Sequence, residues 1–575
     1  MIRDHVGVRL YHEPVVRPAD TAQLRKARGA FFTPPTIADY LAQWAVGADP
    51  NAKVLDPTCG EAVFLLAAGR RLRDSGVPVS DLDSHLFGVD LHRGSLDWAT
   101  TLLEDDGLSA HLIESDLLDL PTPDQLGSPL PEMDAVIGNP PFIRYQEQPA
   151  EVRTQSRAVA FRQGVRLSGL ASSWASLLVH ACAFLKPEGR LAVVLPAELL
   201  TVGYAEPIRA WLRRRFEQVH LVLFERLQFD DALEKVVLVL AAGHGGCDAF
   251  SLYYLDDAED LSRIRPMTNL SVTPSDSGKW TDLLLPNRQR QLFKQVSAAH
   301  FVPLGAYGAP ELGTVTGANA FFTLSQDTAD AFGLTEAAGQ VRKVCPPGTK
   351  HLKGLAFSSA QWRAMRNGGE RVWLLCPDVS DRSRALRAYV AKGEGEGVNE
   401  AYKCRIRSPW WRPPVVTPPD LFFTYMSHRY PRLFTNSART TFVNSMHGLR
   451  LNAGMPAVTK SALPLLALNS VTMLGAEVFG RSYGGGILKM EPSEAAMLPV
   501  PDMPHLVRAW ALLYKDKNSL DRQLHNGRWS NVVKRVDEAL LQQVLGLPAT
   551  QVADLHDAAS TLRARRIGRE VDDLE

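Results

Sequence analysis

The chain has 575 residues, 45% of them hydrophobic and 22% charged, and its 63 basic and 63 acidic residues give a formal net charge of zero. This composition is typical of a globular protein with a large core and excludes a polycation or a chain too polar to fold. A nucleic-acid surface on such a chain must therefore be a local basic patch.

The spacing of the cysteines and the N-terminal sequence argue against a metal site, disulfide bonds and a membrane span. Six cysteines are scattered without a CxxC pair or a His/Cys metal spacing, at positions 59, 182, 247, 345, 376 and 404. We expect reduced thiols and no zinc. The first 18 residues lack the apolar stretch of a signal peptide, and no run reaches the roughly 18 apolar residues of a membrane span. These features predict a cytoplasmic protein.

Strand-like and helix-like stretches alternate over about the first 245 residues. Short apolar runs predict strands at 53–56, 86–90, 111–116, 133–138, 189–196, 219–224 and 235–243. Apolar positions at helical spacing predict helices at 37–46, 61–72, 94–106, 174–185 and 208–216. The last two strands suggest an antiparallel edge hairpin. The alternation predicts an α/β fold with a Rossmann-like, mostly parallel sheet and helices on both faces.

A glycine-rich break at 243–248 is the best domain boundary. Beyond it the pattern becomes irregular and rich in proline and aromatic residues, and from about 505 helix-like segments return. We therefore expect a first domain at 1–245, a mixed α+β domain at 246–505 and a helical segment at 506–575.

Acidic residues stand at the ends of three predicted strands, where open α/β sheets bind ligands. Asp56 is followed by a turn to Gly60, which opens a helix whose N-terminus favours a carboxylate. Asp90 could accept both hydroxyls of a ribose, and Asp116 could accept from an adenine amine. Each feature alone is explained equally well by an ordinary strand end.

The tetrapeptide Asn139-Pro140-Pro141-Phe142 after the fourth strand is more specific. An exocyclic amine on a base is a poor nucleophile because its lone pair is delocalised into the ring. The Asn139 side chain and the Pro140 carbonyl could accept both amine hydrogens and direct the lone pair at an electrophile. Proline preorganises the acceptor, and Phe142 offers a face on which an extruded base can stack. A proline turn alone would not require all four residues.

The order of these motifs resembles the gamma-type N6-adenine DNA methyltransferases of bacterial restriction–modification systems. FFTPP (31–35) comes first, and DPTCG, GVD, Ser115-Asp116 and NPPF follow. The resemblance implies S-adenosylmethionine as cofactor and methyl transfer to N6 of an adenine flipped out of double-stranded DNA. It also implies that the domain at 246–505 recognises the target sequence.

The resemblance also implies roles for single residues. Thr33 would contact the methionine carboxylate of the cofactor, Asp56 its amino group, Asp90 its ribose and Asp116 its adenine. Asn139, Pro140 and Phe142 would hold the target base, with Phe229 as a second stacking aromatic or simply a hydrophobic loop anchor. Ala62 departs from the family, which usually has a second glycine there; we expect the loop to tolerate it.

The C-terminal half resembles these enzymes in Tyr402–Arg405, Pro409–Trp411 and 480–494. Residues 403–450 carry eight basic residues against the single acid Asp420. Phosphate contacts and base contacts by Arg are expected here. The candidate DNA-binding residues are Arg405, Arg407, Trp410, Arg412 and Arg429.

Other interpretations of the function stay open. The NPP chemistry also serves N4 of cytosine, an RNA base or a protein glutamine, and a non-catalytic DNA-binding specificity protein with a decayed methyltransferase domain is a further alternative. Because the cofactor motif begins near residue 31, we expect no nuclease domain before it. A protective role would then require a separate cognate restriction endonuclease.

Overall fold

The computed structural model describes residues 33–224, 236–264, 270–273, 278–483 and 486–567. The chain divides into two compact units, one up to Leu283 and one from Leu284. This division differs from the boundaries expected at 245/246 and 505/506. Two further strands extend the first sheet beyond residue 245, and the C-terminal helices share a core with residues before 505.

A nine-stranded sheet organises the first unit. Its strands are β1 Val54–Asp56, β2 Leu86–Asp90, β3 His111–Glu114, β4 Met133–Gly138, β5 Leu185–Pro196, β6 Gln218–Phe224, β7 Val236–Ala242, β8 Phe250–Leu255 and β9 Leu270–Val272. Their order is β3-β2-β1-β4-β5-β7-β6-β8-β9. The first five strands pair in parallel, as predicted for a Rossmann-like methyltransferase sheet.

The predicted antiparallel hairpin is confirmed, but it does not form the sheet edge. Strand β7 runs antiparallel between β5 and β6. Strand β8 then pairs in parallel with β6, and β9 pairs antiparallel with β8. The hairpin is therefore internal, which agrees with the near-continuous burial of β6 and β7.

Helices alternate with these strands. They are α1 Pro35–Val46, α2 Val63–Asp74, α3 Arg93–Asp105, α4 Ala150–Arg162, α5 Ser173–Ala181, α6 Glu198–Thr201 and α7 Glu206–Arg215. Successive residues Ala135, Val136 and Ile137 of β4 are all fully buried, so both faces of the sheet are covered. Helices α1, α2 and α3 share a core with alternate residues of the strands. Helix α4 was not predicted from the sequence.

The second unit mixes short strands with helices. Its strands are β10 Phe301–Pro303, β11 Gly308–Leu312, β12 Thr323–Leu324, β13 Val341–Lys343, β14 Ala356–Phe357, β15 Trp373–Leu375, β16 Leu421–Phe423, β17 Met426–Ser427, β18 Leu433–Asn436, β19 His447–Leu451, β20 Arg481–Tyr483, β21 Ile487–Lys489 and β22 Pro499–Pro501. The largest sheet has the order β11-β19-β16-β18-β14. This arrangement is the mixed α+β architecture expected after the catalytic sheet.

The helices of the second unit are concentrated toward its end. They are α8 Asn287–His300, α9 Asn319–Phe322, α10 Gln326–Phe332, α11 Ser359–Asn367, α12 Arg384–Gly395, α13 Tyr402–Arg405, α14 Thr459–Leu466, α15 Ser470–Phe479, α16 Pro492–Ala496, α17 Met503–Leu513, α18 Lys517–His525, α19 Trp529–Asp537 and α20 Ala549–Ile567. A π-helical turn at Glu538–Val544 follows α19. Across the described ranges, no individual helix combines the length and apolarity needed to cross a bilayer, and α14 and α15 meet that test only jointly, across a bend of 77°.

Candidate active site

The carboxyl ends of β1 and β4 lie against each other. Asp56 ends β1 with 1% of its surface exposed, and its Oδ1 accepts from the Thr58 backbone N–H at 3.2 Å. Gly138 ends β4 with a φ of +155°, and a Cβ there would lie 2.8 Å from Asp56 Oδ1. Only glycine therefore allows this close approach without a shift of the neighbouring carboxyl group.

Burial controls the ionisation of Asp56. Desolvation raises its pKa to about 8, the Thr58 N–H opposes this rise, and the nearby charge of Asp90 adds to it. Asp56 Oδ2 is buried and, within the described part of the chain, has no hydrogen-bond partner. A cationic donor would satisfy this oxygen and restore the charged carboxylate.

A hydrogen-bonded turn connects the ends of β1 and β2. Asp90 Oδ2 accepts from Gly60 N at 3.0 Å, and its Oδ1 accepts from His92 N at 2.8 Å. Gly60 has a φ of +50°, and a Cβ added to it would meet no atom within 4 Å. The turn therefore presents open space and backbone close to Asp90, as a bound nucleotide requires.

Ala62 occupies the left-handed region, with φ 63° and ψ 22°, at the N-terminal cap of α2. Its N–H donates to the Cys59 carbonyl at 2.7 Å, and its methyl group is fully buried. The turn thus keeps the shape that glycine favours despite a cost of about 1 kcal/mol for a non-glycine residue in this conformation. The expected tolerance of Ala62 is consistent with this geometry.

Asp116 lies two residues beyond the end of β3, which is shorter than predicted. It caps the 3-10 helix Leu117–Asp119, and its Oδ1 accepts from Leu118 N at 2.9 Å. Its side chain is half-buried beside the same carboxyl edge of the sheet. The second carboxylate oxygen is available to accept from an amine.

Asn139 follows β4 and contacts Thr33. Its Nδ2 donates to Thr33 Oγ1 at 3.2 Å, so the first and last motifs of the predicted site meet. Asn139 Oδ1 is buried and accepts no hydrogen bond from any described residue. A buried amide oxygen without a partner costs roughly 1–3 kcal/mol, which a donor from a bound base would recover.

The backbone after Asn139 is held by residues that the sequence did not single out. Ser173, the first residue of α5, donates to the Pro141 carbonyl and accepts from Ile143 N at 2.9 Å. Gln148 Nε2 donates to the Ile143 carbonyl at 2.8 Å. These bonds fix the backbone at Pro141 and Ile143, on either side of Phe142. A serine at the start of a predicted helix suggests only a cap, so the sequence held no specific signal for the clamp.

The other two residues of the tetrapeptide differ in exposure. Pro140 is buried, whereas Phe142 is half-buried and packs against the core that includes α1, α2 and α3. Phe229, the expected second stacking aromatic, lies outside the described residues. The first unit thus brings together Thr33, Asp56, Gly60 and Asp90 with Asp116 and the tetrapeptide at one edge of the sheet.

Several basic residues of the second unit are exposed. Helix α13 carries exposed Lys403 and Arg405, flanked by Tyr402 at 63% exposure and Ile406 at 60%. Arg412 and Arg429 are also exposed. These side chains are accessible to a ligand such as DNA.

Two of the candidate DNA-binding residues are engaged inside the second unit. Arg407 Nη2 donates to the carbonyls of Val315 and Thr316 at 3.0 Å, and its Nη1 donates to Trp410 O at 3.2 Å. Trp410 packs on Phe321 with a ring separation of 5.6 Å. Both residues are half-buried and engaged within this unit, and their contact with DNA stays a prediction.

Arg432, another member of the basic run, is also buried. It donates to the carbonyls of Leu352, Lys353 and Gly354 and lies between the rings of Phe434 and Trp529. This arginine satisfies three consecutive backbone carbonyls. It does not contribute to the exposed basic surface.

Comparison with known proteins gives two family models that match separate parts of the chain. A model of the N-6 DNA methylase family matches residues 18–244, and a model of the C-terminal domain of Type II methyltransferase M.Eco57I matches residues 277–541. The chain is 22% identical to Type II methyltransferase M.AccI of Acinetobacter calcoaceticus, over 90% of this chain and 93% of the relative. It is 23% identical to M.XamI of Xanthomonas campestris pv. amaranthicola, over 83% and 86%.

The fold also matches a solved structure, that of the Type IIL restriction–modification enzyme MmeI in complex with DNA. The TM-score is 0.56 at 14% identity, with 96% of this chain and 80% of that chain covered. The sequence motifs, the site at the sheet edge and the two family matches all indicate a methyltransferase domain followed by a second domain. The chain contains a domain of the N-6 DNA methylase family, followed by a C-terminal domain of the M.Eco57I type.

Proposed function

We propose that this protein transfers a methyl group from S-adenosylmethionine to N6 of an adenine flipped out of double-stranded DNA, at a specific sequence. The observation that carries the proposal is the buried, unpartnered Oδ1 of Asn139 beside buried Asp56, at the carboxyl end of a Rossmann-like sheet. The family of the first domain and the Type II methyltransferases among the relatives support a role in a restriction–modification system.

The residues at the sheet edge fit the cofactor. Asp56 offers a buried acceptor to its ammonium group, and Asp90 faces the open space at Gly60, where a ribose would be held. Asp116 offers an oxygen to the adenine amine of the cofactor. By the family resemblance, Thr33 would contact the methionine carboxylate of the cofactor. When bound, S-adenosylmethionine supplies an electrophilic sulfonium methyl group.

The tetrapeptide would prepare the target amine. Asn139 Oδ1 and the Pro140 carbonyl accept its two hydrogens, which concentrates the lone pair on nitrogen. Pro141 and Ser173 keep these acceptors fixed, so no reorganisation is required when the base arrives. Phe142 provides the stacking surface, and no covalent enzyme intermediate is needed.

The second unit would read the DNA sequence. Its exposed Lys403, Arg405, Arg412 and Arg429 are suited to phosphates or to guanine edges. We further propose that a separate cognate restriction endonuclease cleaves the same sequence when it is unmethylated. Methylation by this chain would then protect the host DNA.

Asn139→Ala tests the proposal. Purified protein, S-adenosylmethionine labelled in the methyl group and genomic DNA should give labelled N6-methyladenine with the wild type, and at least about 100-fold less with the variant. Asn51→Ala, an exposed asparagine of the same unit, is the matched control. Nucleoside analysis separates adenine from cytosine, and labelled N4-methylcytosine would overturn the assignment. Transfer of label to RNA or protein instead of DNA would overturn it too, as would cofactor binding without methyl transfer.

A further inference from the structure

The segment that follows the target-base tetrapeptide has an unusual charge. Residues 152–187 contain five basic residues and no acidic residue, in a chain whose net charge is zero. Four of the five are arginines on or just after α4: Arg153, Arg157, Arg162 and Arg166. Like charges four residues apart on a helix, such as Arg153 and Arg157, destabilise it. From Val152 onward the helix carries no acidic residue, so its basic charge is not explained by ion pairing along the helix itself.

The arginines of this segment are directed outward. Arg157, Arg162 and Arg166 are exposed, and Arg166 lies over the ring of Phe161, which is itself 59% exposed. The structure shows no ion pair between these three arginines and any described acidic residue. The opposite side of α4 is apolar and buried at Val159 and Ala160. The helix thus presents a basic surface with an exposed aromatic side chain.

Helix α4 is fastened to the site that receives the base. Arg153 Nη1 donates to the carbonyl of Tyr145 at 3.0 Å, three residues after Phe142. Gln155 Nε2 donates to Asp119 Oδ1 at 2.5 Å, just beyond the cofactor residue Asp116. The helix also packs on α5, whose Ser173 clamps the tetrapeptide. Its basic surface is therefore held beside the carboxyl edge of the sheet.

We propose that Arg157, Arg162 and Arg166 form a phosphate-binding surface that holds the DNA backbone next to the extruded adenine. This inference rests on the proposed function and adds a DNA contact within the methyltransferase unit, separate from sequence reading by the second unit. Extruding a base from the duplex costs unstacking and unpairing energy, which contacts to the flanking backbone can offset. Arginine supplies sequence-independent affinity for that backbone by neutralising phosphates and releasing counterions. Charge complementarity identifies nucleic-acid phosphate as the partner.

The test compares two double variants with the same loss of charge. R157Q/R162Q removes two of the three proposed contacts and keeps side chains that favour a helix. R73Q/R214Q is the control, since Arg73 and Arg214 are exposed near the ends of α2 and α7, which precede the amino ends of β2 and β6 at the opposite sheet edge. DNA dissociation constants are measured from about 50 to 200 mM salt, on target and non-target duplexes.

We expect R157Q/R162Q to bind both duplexes about tenfold more weakly at 100 mM salt, with a salt slope shallower by about 1–2. Its thermal stabilisation by S-adenosylmethionine should equal that of the wild type, and methyl transfer should recover at low salt and saturating DNA. Affinity and slope equal to those of R73Q/R214Q would overturn the inference, as would weaker binding to the target duplex alone or loss only of binding to a protein partner. Absence of methyl transfer by the wild type would instead refute the proposed function, and the binding comparison would remain valid.

Discussion

The carboxyl group of Asp56 is held in its neutral form by the fold, and this has a consequence for stability. Its pKa is about 8 in the folded chain, against an ordinary value near 3.8. Between these two pH values the folded apoprotein binds a proton that the unfolded chain has released. The contribution of Asp56 therefore makes the folded state progressively less stable as the pH rises from about 4 to 8.

Asp56→Asn should remove this pH-dependent penalty and keep the shape of the side chain. We expect the variant apoprotein to melt several degrees above the wild type near pH 8, with the difference vanishing near pH 4. Thermal unfolding across this range is the measurement. The exposed Asp74→Asn serves as control, and an identical pH slope for Asp56→Asn and the wild type would contradict the argument.

Gly138 provides a second test at the scale of one residue. In Gly138→Ala the new methyl group would lie 2.8 Å from Asp56 Oδ1, in a backbone conformation that alanine rarely adopts. We expect a loss of about 1–3 kcal/mol in unfolding free energy and weaker cofactor binding, because Asp56 must move. Gly169→Ala is the control, since its Cβ would meet no atom within 4 Å. Equal stability of the two variants would show that the two strand ends do not touch.

At the scale of elements, the clamp between α5 and the tetrapeptide should affect turnover more than binding. Ser173→Ala loses the bonds to Pro141 and Ile143, which position the acceptors beside Asn139. We predict a kcat reduced roughly 10- to 100-fold with little change in KM for DNA or cofactor, and partial rescue by Ser173→Thr. Ser176→Ala on the same helix is the control, because the bond that Ser176 makes among the described residues is local, to the Ser173 carbonyl. A change confined to KM would argue against a positioning role.

Local patterns were sufficient to predict the parallel strands and the residues at their ends. Hydrophobic periodicity marked β1 to β5, and strand ends placed Asp56, Asp90 and Asn139 correctly at one edge. The position of β7 between β5 and β6 depends on pairing, which periodicity does not encode. Helix α4 was missed because its face is weakly apolar and rich in arginine. Pairing and burial, rather than propensity, decided these elements.

The second unit was predicted less well because its strands are short and their partners are distant. Residues Ala356 and Phe357 of β14, for example, pair in parallel with Thr435 and Asn436 of β18. A run of two residues carries no readable alternation. Charge counting was also misleading, since Arg432 in the basic run is 6% exposed and bonded to backbone carbonyls. Composition identifies a basic segment, but only the fold assigns each arginine to surface or interior.

At the scale of the whole molecule, each unit has its own hydrophobic core. A substitution in one core should therefore destabilise that unit and leave the other unchanged. The last helix of the second unit, α20, is tied to α15 by a buried ion pair. Arg566 and Glu477 are 5% and 3% exposed, and Arg566 Nε and Nη2 each donate to a Glu477 carboxylate oxygen at 2.8 Å. Burial raises the pKa of Glu477, and Arg566 opposes that rise. Removal of the arginine would leave an unpaired buried carboxyl group.

We expect Arg566→Ala to cost about 3–5 kcal/mol of unfolding free energy and to lower the melting temperature of the second unit by roughly 10 °C. Arg288→Ala, which breaks the exposed pair with Asp554, should cost at most about 1 kcal/mol. The deficit of Arg566→Ala should be smaller at pH 5 than at pH 8, because Glu477 then takes up a proton more easily. Stabilisation by S-adenosylmethionine should persist, since the proposed cofactor residues lie in the first unit. Differential scanning calorimetry with and without cofactor tests this prediction, and loss of the cofactor shift in Arg566→Ala would show that the second unit controls the cofactor site.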